Sequence, residues 1–186
     1  MACADFETRA SALDNPKANI ISGYAATFHT EAVIAGEFVE KIQPGAFARS
    51  LRENDVVFLL HHDHGRVLGR MSNGTLKLAE DAKGLRYELT VDPSTPDGQA
   101  ITGLVGRRDL KECSFGFGVR AETWVDGTSL PVRTLTEITL YEVSIVTWPA
   151  YSNTSAALRS LEAHRASEIV RRKIELDLKA RRIRLN

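Results

Sequence analysis

Glu112-Cys113-Ser114-Phe115-Gly116-Phe117-Gly118-Val119-Arg120 alternates with the period of a β-strand. It sends Cys113, Phe115, Phe117 and Val119 to one face and Ser114, Gly116, Gly118 and Arg120 to the other. The first face reads as core. The second sets a hydroxyl beside positions without side chains, a shallow trench in which another backbone could approach Ser114 and contact Gly116 and Gly118. That suits a serine nucleophile meeting an extended peptide; it equally suits a plain strand with a surface serine and glycines that mark a bulge. Cys113 is the neighbouring nucleophile by type, but a reactive thiolate needs an exposed, electropositive setting and the alternation places Cys113 among phenylalanines.

Outward from this stretch, the pattern is of short strands. Asn19 to Phe28 and Gly36 to Ile42 read as strands, and Pro44-Gly45 opens a helical turn over Ala46 to Leu51. Val56-Val57-Phe58-Leu59-Leu60 is a continuous apolar run of strand length, buried on both faces, that leads into His61-His62-Asp63-His64. Segments near 66–72, 75–80 and 85–91 follow, punctuated by Asn73-Gly74 and by Asp81-Ala82-Lys83-Gly84. Thr95 as N-cap, Pro96 at the first helical position and Asp97 in the first turn start a helix that runs to about Arg108. The Ser114 strand continues toward Trp124, turns at Asp126-Gly127 and returns through Val132 to Ile138. A last strand, Leu140 to Thr147, ends at Trp148-Pro149-Ala150. Eight or nine strands with few helices predict a mainly β fold with peripheral helices (α+β), a closed or nearly closed β-barrel.

Composition narrows the function classes. A formal net charge of zero argues against a generally basic nucleic-acid binder, so no specific nucleic acid is expected. No apolar run is long enough for a membrane span, and the first residues lack the pattern of a secretory signal. Two cysteines, Cys3 and Cys113, make no disulfide framework, which points to a reducing, intracellular setting. Charge is nonetheless uneven: residues 160–186 hold eight Lys/Arg against four Asp/Glu. This stretch has no Gly or Pro and reads as one long helix. Leu158, Leu161, Ile169, Leu176 and Ile183 form one apolar stripe, which Val170, Ile174 and Leu178 widen. The chain therefore divides into an N-terminal segment (1–18), a β-barrel domain (19–155) and a basic amphipathic C-terminal helix (156–186). That helix is expected to pack on the body, on a second copy or on another protein.

Two further places carry potential chemistry. The histidine cluster offers zinc-type ligands, but it lacks the spaced partners of the usual zinc motifs, so neither metal nor cofactor is expected. A histidine at the end of a buried strand is a natural general base, since imidazole exchanges protons near neutrality. Glu142, in Leu140-Tyr141-Glu142-Val143-Ser144-Ile145-Val146, sets a carboxylate in an apolar strand. That is costly unless it is paired, and a histidine it orients would be such a partner; an edge-exposed glutamate is the alternative.

Five stretches occur in the order seen in the prohead proteases of HK97-type tailed phages, and over about residues 19–155 the chain resembles that family. They are Gly23-Tyr24-Ala25-Ala26-Thr27-Phe28; Glu40-Lys41-Ile42-Gln43-Pro44-Gly45-Ala46-Phe47; His62-Asp63 leading to Leu68-Gly69-Arg70; Ser114-Phe115-Gly116-Phe117; and Glu142-Val143-Ser144-Ile145-Val146-Thr147-Trp148-Pro149-Ala150. The family is distantly similar to the herpesvirus maturation proteases (assemblins), which implies a partly open β-barrel. The resemblance implies a serine endopeptidase that acts inside the immature capsid in the host cytoplasm. Its substrates would be scaffold, the N-terminal part of the major capsid protein, and itself. By position Ser114 is the nucleophile, His62 the general base and Glu142 the third member, with Asp63, Asp126 and Glu137 as substitutes for that last role. The loop Trp148-Pro149-Ala150-Tyr151-Ser152-Asn153 is the expected source of oxyanion-hole N–H groups. The competing expectations are a non-catalytic capsid- or scaffold-associated barrel that binds through its C-terminal helix, and a metal-assisted hydrolase built on the histidine cluster.

Overall fold

The computed structural model describes residues 7–12, 19–148 and 154–183, with side chains described over 19–148 and 157–179. In chain order the strands and helices are β1 (Glu7–Ala12), β2 (Ile20–Thr27), β3 (Ala32–Ile34), β4 (Phe38–Ile42), α1 (Ser50–Glu53), β5 (Val57–Leu60), β6 (Asp63–Arg70) and β7 (Leu76–Glu80). They continue with β8 (Gly84–Thr90), α2 (Pro96–Gly106), β9 (Glu112–Val125), β10 (Val132–Val146) and α3 (Thr154–Ile183). The fold is mainly β with peripheral helices, as the strand spacing predicts. The strands form two sheets rather than a closed barrel: one of seven strands organised on β9 and β10, and one of three in the order β2-β8-β7.

Several boundaries differ from expectation for identifiable reasons. The predicted second strand is β4, and it pairs in a hairpin with β3, a short strand not expected, with positive φ at Ala35 and Gly36 in the turn. Residues 132–146 form one strand because irregularities in its pairing with β9 absorb the break in pattern near Ile138. Glu7–Ala12 runs antiparallel along β9, with Ala10 opposite Ser114. α2 starts as read, with the Thr95 hydroxyl accepting from the Gly98 N–H at 3.0 Å.

β10 is the spine. One edge pairs with β9 along its length, while the other takes β4 in parallel over Val132–Leu135 and β5 in parallel over Glu142–Ile145. The core forms where Cys113, Phe115 and Phe117 meet Val143, Ile145, Phe58 and Leu60 and, from the smaller sheet, Leu85, Tyr87 and Leu89. Phe115 stacks on Phe117 at 5.0 Å and meets Phe47 edge-on at 5.8 Å, and Phe58 lies 5.1 Å from Tyr87. Each such buried side chain contributes roughly 1.5–3 kcal/mol, so this face commits the alternation of β9.

One bulge decides where the other face can do chemistry. Leu140 lies opposite Phe117, whereas Glu142, two residues on, lies opposite Gly116. Residues directly opposed across an antiparallel pair share a face, so the extra residue, Tyr141, switches the phase of β10. Leu140 enters the core, and Glu142 and Ser144 emerge on the side of Gly116 and Ser114. Ser50 of α1 anchors the bulge, its buried hydroxyl accepting from the Leu140 N–H at 2.8 Å.

Among its described side chains, α3 buries apolar residues against the body only near its start. Ala157 and Leu161 are buried against Ile34 and Phe38, with Trp124 and Leu158 packed alongside. Beneath them the buried Arg133 guanidinium donates to Glu40 at 2.9 Å and to Glu122 at 2.7 Å. The Ser160 hydroxyl donates to Glu122, and the Trp124 ring stacks on His164 at 5.3 Å. Further along, Ile169, Val170, Ile174, Leu176 and Leu178 are all exposed. No helix among the described residues is long and apolar enough to cross a membrane.

Candidate active site

β5 and β6 form a hairpin closed by the pair Leu60 and Asp63, which leaves His61 and His62 as its two-residue turn. Both have positive φ, 56° and 59°. That is the twist a tight hairpin wants, but Asn-Gly is the usual solution, and a left-handed conformation costs an ordinary residue roughly 1–2 kcal/mol. The neighbouring strand holds the turn in place. The His61 N–H donates to the Ile145 carbonyl at 3.0 Å and the His62 N–H to the Ser144 hydroxyl at 3.2 Å.

The turn brings the His62 ring over β10, where its Nδ1 meets Glu142 Oε1 at 2.8 Å. Glu142 is almost fully buried. Its second oxygen accepts from the Ser144 hydroxyl, so both carboxylate oxygens are engaged as acceptors. A carboxylate facing Nδ1 assigns the proton to that nitrogen and leaves the Nε2 lone pair free in the neutral ring. Nε2 is buried and makes no hydrogen bond. His61 takes no such partner; partial burial, with the Arg66 guanidinium and His62 nearby, holds it below the ordinary imidazole range.

Ser114 lies on β9 directly opposite Ser144. It is 0% exposed, and its hydroxyl, like His62 Nε2, makes no hydrogen bond. Two unsatisfied polar atoms on elements either side of β10 are unusual in a folded interior, where such groups are generally paired. Gly116 and Gly118 are also buried, so the trench expected along this face is closed over, and the edge of β9 beside Ser114 is taken by β1. Cys113 is fully buried on the opposite face; burial first, and the Glu142 carboxylate second, push its thiol well above the ordinary range. That is the setting of an inert thiol.

The residues named as substitutes for Glu142 are engaged elsewhere. Asp63 accepts from the Gly65 N–H at 2.8 Å, Glu137 pairs with Arg120 at 3.1 Å and Arg49 at 3.3 Å, and Asp126 faces Arg172 at 3.8 Å. Among the described residues no three His, Cys, Asp or Glu side chains gather as metal ligands. Of the expected oxyanion loop, Pro149 to Asn153 lie outside the described residues, as does Cys3. Ser144 was missed in the sequence. Its signal is spacing: two residues beyond Glu142 in an apolar strand, it must share the carboxylate's face. A family model described as caudovirus prohead serine protease matches residues 4–167. No curated protein and no solved structure matches the chain.

Proposed function

This chain belongs to the caudovirus prohead serine proteases, and from that premise we propose that Ser114, His62 and Glu142 are its nucleophile, general base and orienting acid. The observation that carries the reading is the 2.8 Å bond between His62 Nδ1 and Glu142 Oε1, with Nε2 left unpartnered in the same interior as the unpartnered Ser114 hydroxyl. In this scheme Nε2 takes the Ser114 proton as Oγ attacks the scissile carbonyl carbon. The imidazolium, stabilised by Glu142, then gives that proton to the departing amine. Water enters, the same nitrogen deprotonates it, and the acyl ester on Ser114 is hydrolysed. Ser114 Oγ and Nε2 are not yet bonded to each other, and such contacts commonly tighten only with substrate.

The family processes capsid or scaffold proteins during capsid maturation. The finer reading is that this chain works inside the prohead, removing scaffold or the N-terminal part of the major capsid protein and cleaving itself. On this reading an extended peptide would contact Gly116 and Gly118 only by displacing what closes over that face. The test is a fluorophosphonate probe on the purified full chain, with the adduct mapped by mass spectrometry. The expected result is a label on Ser114 that is lost in His62→Ala, together with self-cleavage products absent in Ser114→Ala. A folded protein whose Ser114 stays unlabelled would instead be a non-catalytic capsid-associated barrel.

A further inference from the structure

We infer that Ser144 is a positioning residue that holds the base and its acid in one geometry; the inference rests on the triad proposed above. One buried hydroxyl makes two contacts. Its oxygen accepts the His62 N–H at 3.2 Å, and its proton goes to Glu142 Oε2. The first contact fixes the backbone of a residue at φ 59°, in the left-handed region that residues other than glycine enter at a cost. The second fixes the rotation of the carboxylate, which leaves Oε1 aimed at His62 Nδ1. Both ends of the His62–Glu142 pair are therefore referred to a single point on β10.

The same commitment acts on Ser114. Ser144 is its direct cross-strand neighbour on the same face, and two serines in that relation would ordinarily share a hydrogen bond. Because the Ser144 proton is spent on Glu142, it is not donated to Ser114, whose hydroxyl makes no hydrogen bond. Ser144 thus donates nothing to the Ser114 oxygen, and the Ser114 hydroxyl keeps its own proton uncommitted.

The test separates this role from the triad itself. Peptide hydrolysis by Ser144→Ala should show kcat lowered about 10- to 100-fold, the fold-change expected for losing a hydrogen bond to a charged group. KM should be nearly unchanged, because Ser144 touches no substrate. Ser144→Thr, which keeps the hydroxyl, should recover most of the rate. Two measurements on the Ser114→Ala chain, which cannot digest itself, read geometry without activity. The His62 backbone amide should be strongly protected from hydrogen exchange, and the downfield Nδ1 proton resonance of His62 should broaden or move when Ser144→Ala is added. An unprotected His62 amide overturns the proposal even where Ser144→Ala fails to fold. Wild-type kcat in Ser144→Ala, with His62→Ala and Glu142→Gln inactive, overturns the role of Ser144 and leaves the triad standing. Full activity in His62→Ala or Glu142→Gln removes the triad and Ser144 with it.

Discussion

Cys113 and Ser114 are adjacent in the chain and opposite in chemistry because a strand sends them to different faces. The thiol is sealed among phenylalanines and pushed up by burial, whereas the hydroxyl sits in line with Ser144 on the face that carries Glu142. Ser114→Ala should abolish self-cleavage with the fold intact. Cys113→Ala should leave cleavage in place and lower stability by about 1–2 kcal/mol, the range for trimming a small buried side chain, as read from denaturant midpoints. With its thiol pKa raised, Cys113 holds less thiolate than a free cysteine at any pH below that pKa. Native protein at mildly alkaline pH should therefore leave Cys113 unalkylated by iodoacetamide until denaturant is added. Glu142→Gln keeps the shape of the acid but removes the charge that steadies the imidazolium. Turnover should fall on the order of a hundredfold or more, as in other triads, while Asp63→Asn, Asp126→Asn and Glu137→Gln matter less. A collapse in one of the three control variants with Glu142→Gln unaffected would move the acid's role to that residue.

At the scale of the element, the site depends on two irregularities in otherwise regular strands. The Tyr141 bulge turns Glu142 away from the core face, and the His61-His62 turn folds the His62 ring back over it. Ser50 holds the bulge from the neighbouring α1 through the Leu140 N–H. Ser50→Ala leaves that buried donor without its acceptor, which should cost about 1–3 kcal/mol. The loss of peptide-cleaving rate at temperatures well below unfolding should exceed what the stability change alone produces. A Ser50→Ala protein less stable but equally active would show that the bulge keeps its phase without the clamp. The turn offers the opposite experiment. Asn tolerates the left-handed region better than histidine, so His61→Asn should raise stability by roughly 0.5–1 kcal/mol and leave cleavage intact.

For the whole molecule, the division of α3 matters most. Its first turns belong to the body through Ala157, Leu161, the Arg133–Glu122–Ser160 network and the Trp124–His164 stack. Beyond them, ties such as Arg165 to Glu37 at 3.2 Å are exposed and screened by salt. Thirty residues make a rod about 45 Å long, and its outer part presents apolar side chains amid a basic surplus. We propose that this part recruits the protease to an acidic face of the capsid or scaffold protein. Deleting residues 166–186 should impair incorporation into proheads far more than hydrolysis of a short peptide. A wild-type chain that dimerises in sedimentation, with a truncated chain that does not, would instead assign the surface to a second copy. Equal loss of both activities would make the whole helix part of the body.

The mainly β architecture was legible from local patterning, because alternation in β8 and β9, the apolar run of β5 and the Thr95-Pro96 start of α2 are dictated by neighbours within a few residues. Ser114, His62 and Glu142 could be singled out as chemically anomalous in such strands, and the family order joined them. The pairing of His62 with Glu142, on the face that Ser114 shares, was not legible. It depends on a bulge that switches the phase of β10, on a parallel pairing that lays β5 beside Glu142, and on a turn with two histidines in a left-handed conformation, all set by contacts between residues far apart in the chain. The same distance hid Ser144, whose hydroxyl becomes significant only once the His62 backbone is folded against it. It also hid the closure of the glycine face, since alternation says which side chains share a surface but not what the rest of the chain lays over it.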